Sequence, residues 1–280
     1  MADVLMTAGT HLSAIVPEVW SARYFEVLLA ELPFSSLVST DYQGEIQDLG
    51  DTVNISSFPE FAEGDVLAED ARQDAVAITV SGQQLVIDTQ IVRDFIVTRK
   101  AIIQSLPHMD KLREMAVYAV MKKFENIIIA ATIPSAAAPD HQISYNVALT
   151  LGLADILAAK ELLDLQNVPA ADRHMVVGAA QMNDLFNVTS FTSADFILAG
   201  APIQSGQVPV SLLGFQPHMT TLVGNTSYFF HKSYMAVAAQ KGMEVKEYDL
   251  GVDGYRGTRV NVTTLMGKKQ LDNKRVVSIV

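Results

Sequence analysis

The sequence predicts an α+β fold, and three observations carry that prediction. Apolar spacing switches between the helical period of 3.6 and the strand period of 2, without the regular strand–helix alternation of a doubly wound sheet. One helical stretch, 107–131, is far longer than the rest, ~35 Å at 1.5 Å per residue. A two-stranded ribbon precedes it whose own residues cannot bury much apolar surface. The 280 residues carry a net charge of −11, and its placement is uneven. Residues 1–99 contain no Lys, four Arg and 16 acids, a balance of −12, while the remainder is +1. Such a block marks either a segment that contacts something else or a solvated acidic face.

Taken in order, an arm of 16 residues precedes a helix expected over Pro17–Leu32. Its apolar positions are Val19, Trp20, Tyr24, Val27, Leu28 and Leu32, with Pro17 suited to a first turn. Strands are expected at Asp51–Ser57 and Ala75–Asp88, from the alternation of Val53/Ile55 and of Val76/Ile78/Val80. The acidic connection Phe58–Asp74 exceeds the ~12–15 residues usual for an unstructured loop. The ribbon should therefore lie against another surface, in the same chain or on a neighbour. Pro107–Ala131 has an apolar stripe through Leu112, Met115, Ala119, Phe124 and Ile128, with Glu125 placed among the polar residues beside it. A hinge-like Pro134–Pro139 follows. Next come a helix near Leu151–Gln166, a buried strand Met175–Val177, a short helix Ala179–Asn187 and a polar surface loop Val188–Pro209. Strands are expected at Val210–Phe215, Thr220–Val223, Ser227–His231 and Met243–Tyr248, with a short helix over Ser233–Gln240. Thr258–Leu265 and Arg275–Val280 read as closing strands around Gly267-Lys268-Lys269.

Composition excludes much chemistry. Cys is absent, which removes disulfides, thiolate metal sites and cysteine nucleophiles. The six His show no i, i+4 pair and no H-E-x-x-H pattern, and no G-x-S-x-G elbow occurs. Asp249–Gly254 resembles the start of a calcium loop but continues with Gly251 and Val260 where ligands belong. Gly251, Gly254 and Gly257 lack the Gly-Lys-Ser/Thr of a phosphate loop. No catalytic, cofactor-binding or metal-binding residues are expected. The most apolar stretch, Ile127–Ala138, is interrupted by Pro134 and too short for a membrane helix, so no membrane partner is expected. A net negative chain also lacks the basic surface of a nucleic-acid grip.

Several stretches, in order, resemble the major capsid proteins of tailed bacteriophages. They are Ile15–Arg23, Leu37–Ile46 with Gly50–Ile55, Val176-Val177-Gly178, Leu213-Gly214-Phe215, Ala236–Gln240 and Tyr255-Arg256-Gly257. The resemblance spans nearly the whole chain and implies the tailed-phage capsid fold. An N-terminal arm would cover 1–42 and an extended β-hairpin loop 43–91. A peripheral domain with the long spine helix would cover 92–139 and 255–280, and an axial domain 140–254. It implies a structural protein, not an enzyme, that self-assembles into the pentamers and hexamers of an icosahedral head enclosing double-stranded DNA. The implied location is the virion, after assembly in the bacterial host cytoplasm. The implied partners are further copies of the chain, a separate scaffolding protein, a portal, decoration or cement proteins, and packaged DNA held without sequence specificity.

The charge pattern adds an expectation about contacts between copies. The acidic ribbon, with Glu60, Glu63, Asp65, Glu69 and Asp70, should lie over a neighbour's positive region, with Lys122, Lys123, Lys268, Lys269, Lys274 and Arg275. Some members of the family weld neighbours through a Lys on the extended loop. Residues 43–91 contain none, so that cross-link is not expected. Two other readings fit less of the sequence: an encapsulin-like bacterial compartment shell, and a small intracellular enzyme of unknown class.

Overall fold

In the computed structural model, the residues described are 29–43, 52–59, 63, 77–104, 109–188, 211–249 and 257–280. The chain divides into a unit ending at Ala30 and a unit from Glu31 to Val280. All the elements below belong to the second unit.

A sheet buried on both faces must be apolar on both, and the centre of this fold is such a sheet. In chain order its strands are β4 (Gln142–Ile143), β5 (Arg173–Val177), β6 (Phe215–Met219), β7 (Ser227–His231) and β10 (Val276–Ile279). They lie in the order β4-β10-β7-β5-β6. Alternation along each strand feeds two cores. Met175, Val177, Phe229, Val277 and Ile279 face one of them, filled by Ile156, Ala159 and Leu163 of helix α4 (Leu153–Leu165). Val176, Phe230 and Val276 face the other. There they meet Ala116, Val120, Phe124 and Ile128 of helix α3 (Met109–Ala131), and Phe34 and Leu37 of helix α1 (Phe34–Leu37).

A second sheet has three long strands in the order β3-β9-β8: β3 (Thr89–Thr98), β8 (Met235–Asp249) and β9 (Gly257–Gln270). Ile91, Val237 and Val262 of this sheet share the α3 core, so the long helix joins both sheets. Strands β1 (Thr52–Ser57) and β2 (Ser81–Val86) form the antiparallel ribbon. Its base is seated within the chain. Val53, Leu85 and Ile87 are buried with Ala238 of β8, and Leu265 of β9 packs against them. Gln83 Nε2 also donates to Leu271 O at 2.8 Å. The surface the ribbon was expected to need is thus supplied in the same chain at its base. Its acidic connection lies outside the described residues apart from 58, 59, 63 and 77–80.

Several expectations need correction. Residues 17–28 lie outside the described residues, and 29–32 are not helical; the helix α1 begins after Pro33. The ribbon's second strand is shorter than 75–88. Ile78 and Val80 are exposed outside it, because its partner β1 ends where Ser57 faces Ser81. Residues 212–215 form a tight turn in which Leu212 and Phe215 exchange backbone hydrogen bonds of 2.8 Å, and the strand starts only at Phe215. Thr221–Val223 is a 3₁₀ turn, capped by the Thr220 side chain accepting from Leu222 N at 3.3 Å. The expected helix 233–240 is instead a 3₁₀ turn ending at Tyr234 followed by the largely buried start of β8 from Met235. There pairing with β9 and with Ser39 outweighs the helix preference of Met-Ala-Val-Ala-Ala. Gly267 lies within β9 and makes no turn. Strand β3 and helix α2 (Arg99–Gln104) follow the ribbon where no element was expected. The loop 188–209 is described only at Val188, and Tyr255 and Arg256 lie outside the described residues.

Candidate assembly surfaces

The long helix α3 shows how the chain holds segment 31–38. Its buried stripe contains one carboxylate, Glu125. That carboxylate accepts from Phe34 N at 3.1 Å and from Ser35 N at 2.8 Å. Pro33 precedes α1 without offering a side-chain cap, so Glu125 does the capping from 90 residues away. Burial pushes the Glu125 carboxyl above the usual carboxylate range, and the two backbone donors oppose that rise. Phe34 stacks on Phe230 with ring centroids 5.6 Å apart, and Thr220 Oγ1 donates to Glu31 O at 2.8 Å. Segment 31–38 is therefore gripped by α3 on one side and the five-stranded sheet on the other.

Sequence position alone puts Glu125 among the polar residues beside the stripe. A helical wheel places it one residue step from Phe124 and about 60° from Ile128, at the margin of the stripe. A margin position can serve either side, and only the arrival of α1 buries this one.

The expected contact residues are distributed as follows. Lys122 and Lys123 are exposed on α3, and Lys122 lies on the side opposite Val120 and Phe124. Lys268 and Lys269 are half-buried near the end of β9, opposite Val237 and Ala236. Lys274 is exposed in the 3₁₀ turn that links β9 to β10. Arg275, in the same turn, is bound within the chain: Nε donates to Asp272 Oδ2 at 3.1 Å, and Nη1 to Ser233 Oγ at 2.6 Å. The end of α3 meets the end of β9 through a Gln270 side chain that donates to Ile133 O at 2.8 Å and accepts from Ile133 N at 3.1 Å. The basic positions of β9 and the following turn thus lie beside the C-terminal end of the spine helix. Of the acidic set, Glu63 is exposed, and Glu60, Asp65, Glu69 and Asp70 lie outside the described residues.

Titratable groups are also buried in the five-stranded sheet. His174 of β5 and His218 of β6 lie with ring centroids 5.6 Å apart on the face that carries Val176. Burial lowers the His174 pKa to about 4 and also lowers that of His218. Arg173 is buried, bound to Pro169 O at 2.9 Å, Val168 O at 2.5 Å and the carboxylate of Asp164 at 2.7 Å. Among the described residues no group of three or more His, Asp or Glu could hold a metal ion. No helix among them is long and apolar enough to cross a membrane.

What stands out among the described residues is packing surface: a ribbon seated at its base, a long helix tying two sheets together, and a segment 31–38 clasped by a buried carboxylate. Solved structures share the fold across nearly the whole chain. A chain of Mycobacterium phage Che8 is 22% identical, with TM-score 0.79, covering 95% of this chain and 97% of its own. The capsid structure of Cyanophage P-SCSP1u gives 13% identity and TM-score 0.77, covering 97% and 94%. The mature capsid of bacteriophage PhiM1 gives 12% identity and TM-score 0.74, covering 99% and 96%. No curated protein sequence matches. A sequence model described as phage capsid protein matches residues 31–280, and the chain belongs to that family. It is a structural major capsid protein of a phage head shell, with the tailed-phage capsid fold.

Proposed function

We propose that copies of this chain assemble as pentamers and hexamers into an icosahedral head around double-stranded DNA, and that the protein has no catalytic role. Assembly takes place in the host cytoplasm with a separate scaffolding protein and a portal, and decoration proteins bind the finished shell. The four parts are the arm 1–42, the extended loop 43–91, the peripheral domain 92–139 with 255–280, and the axial domain 140–254. The sheets cross these boundaries: β8 pairs with β9, and β10 pairs with β7 and β4.

One observation carries the contact model. The ribbon's base is packed within the chain, while its connection of 23 residues holds the acids and no Lys. Glu60, Glu63, Asp65, Glu69 and Asp70 of one copy then lie over Lys122, Lys123, Lys268, Lys269 and Lys274 of the next. Arg275, already bound to Asp272 and Ser233, contributes to the local positive field. Each exposed pair is worth only ~0–1 kcal/mol. Repetition around a closed shell multiplies it. Electron micrographs and size-exclusion of the purified full chain test the assembly. Shells, or rings of five and six, are expected. A monodisperse small oligomer at every concentration would overturn the proposal.

A further inference from the structure

Segment 31–38 crosses the five-stranded sheet. Glu31 is tied to Thr220, the residue after β6, whose Oγ1 donates to Glu31 O at 2.8 Å. Phe34 stacks on Phe230 of β7 with centroids 5.6 Å apart and meets Tyr228 edge-on at 5.9 Å. Strand β5 lies between β7 and β6, so the chain passes over β5 between Glu31 and Phe34. The face it crosses carries His174 of β5, paired with Phe230, and His218 of β6, paired with Val176.

These two rings lack partners. His174 is 7% exposed, its centroid 5.6 Å from that of His218 and 6.0 Å from that of Phe230. Neither His174 Nδ1 nor His218 Nε2 has a hydrogen-bond partner among the described residues. A neutral imidazole can leave one nitrogen as an unused lone pair, whereas an imidazolium donates from both. Protonating either ring therefore places a charge and an N–H without an acceptor against the core that holds Phe34. The surrounding charges do not compensate. Asp172 favours a charge on His174, and His218, His231 and Lys232 oppose it; Glu31 favours a charge on His218. Burial outweighs them and lowers both pKa values from the ordinary 6.5, that of His174 to about 4. On the α3 side, the acid facing the segment is Glu125, its carboxyl raised by burial. Burial also raises Tyr228 and Tyr234, which stay neutral.

We propose that the His174–His218 pair is an acid-sensitive latch: protonation of these rings releases segment 31–38 from the five-stranded sheet while the α4 face of that sheet stays packed. The α4 face is filled by Met175, Val177, Phe229, Val277 and Ile279, which do not titrate. The neutral rings contribute fully above pH 6.5, and that contribution is lost as pH falls toward 4. The latch is a property of the single chain and stands apart from the shell reading.

Hydrogen exchange of the full chain at pH 7 and pH 4.5, corrected for intrinsic rates, tests it. A ring that titrates at about 4 when covered and at 6.5 when released should raise the open fraction of segment 31–38 on the order of 50-fold at pH 4.5. Amides of α4 should keep their protection. Equal protection of 31–38 at both pH values, or an equal loss in α4, would overturn the proposal. A His174→Gln, His218→Gln double variant gains no charge at these positions and should hold the segment at both pH values. Release in that variant would assign the effect to other groups, such as Glu125 or the buried His141, and overturn the proposal. Glu125→Gln should keep the acid response, and its loss there would also overturn it. Should the double variant not fold, ring titration of the wild type by NMR replaces it. The midpoint of release should follow the titration of His174 and His218, and release while both rings are still neutral would overturn the latch.

Discussion

At the scale of single residues, Glu125 contributes more than its helix position suggests. Its carboxylate satisfies two backbone donors at the start of α1, in a site where water cannot replace it. Glu125→Ala strands both donors and opens a small void, at a cost of about 2–4 kcal/mol by the usual charge for unsatisfied buried groups. Urea unfolding of the unassembled subunit checks this, and a loss below about 1 kcal/mol would show that α1 is held by Phe34 packing alone. His174 sets a pH dependence. Its ring faces His218 and Phe230, with Asp172, His231 and Lys232 contributing charge nearby and Glu31 acting on His218. The folded pKa of about 4 lies below the ordinary 6.5. The neutral ring therefore contributes stability fully above pH 6.5, and that contribution is lost as pH falls toward 4. The loss amounts to up to about 3 kcal/mol. Glu125, raised by burial, works in the opposite sense: protonation favours its folded form, in the carboxylate range. The urea midpoint should fall between pH 7 and pH 5, and His174→Gln should flatten that fall. An equal slope in the variant would assign it to other groups.

At the scale of elements, close backbone approach decides how the ribbon is seated. A Cβ on Gly267 of β9 would lie 2.5 Å from Val86 O and 2.9 Å from Ile87 Cα. Both contacts are backbone, so neither side can yield by rotating a side chain. Gly267→Ala should lift the end of β2 off β9, costing about 1–3 kcal/mol as overpacked sites do. Faster hydrogen exchange at the β2 amides, with α3 amides unchanged, is the expected reading. Unchanged β2 protection would mean that Leu85 and Val53 hold the ribbon without the close approach. The ends of the spine helix are tied by polar groups. Arg113 pairs with Asp110 and with Glu247 of β8 near its start, and Gln270 bonds Ile133 just past its end. Helix and three-stranded sheet are thereby joined at both ends.

At the scale of the whole molecule, charge placement governs the contacts proposed between copies. With −12 confined to residues 1–99, the proposed contact would draw its attraction from laying that segment over the balanced remainder. Reversing Glu60, Glu63 and Asp65 to Lys should raise the concentration needed for assembly at low salt. It should also shrink the difference between low and high salt, because screening has less attraction to remove. Light scattering across a salt series reads both effects. A variant that assembles normally with the wild-type salt response would leave the ribbon contact without its electrostatic part.

Read alone, the amino-acid order determined the mixed α+β class, the long helix, the ribbon's first strand, α4, β5, β7 and the uneven charge. These are signals that act over a few residues or by simple counting. It misplaced what depends on distant partners. Ala236–Gln240 is a strand because β9 and Ser39 lie on either side of it. Glu125 is buried because α1 arrives at its margin, and Gly267 is needed because Val86 approaches. Arg275 is already paired because Asp272 and Ser233 lie within reach. Periodicity records which face of an element is apolar, but which residues meet across the fold is set by the packing of elements far apart in the chain.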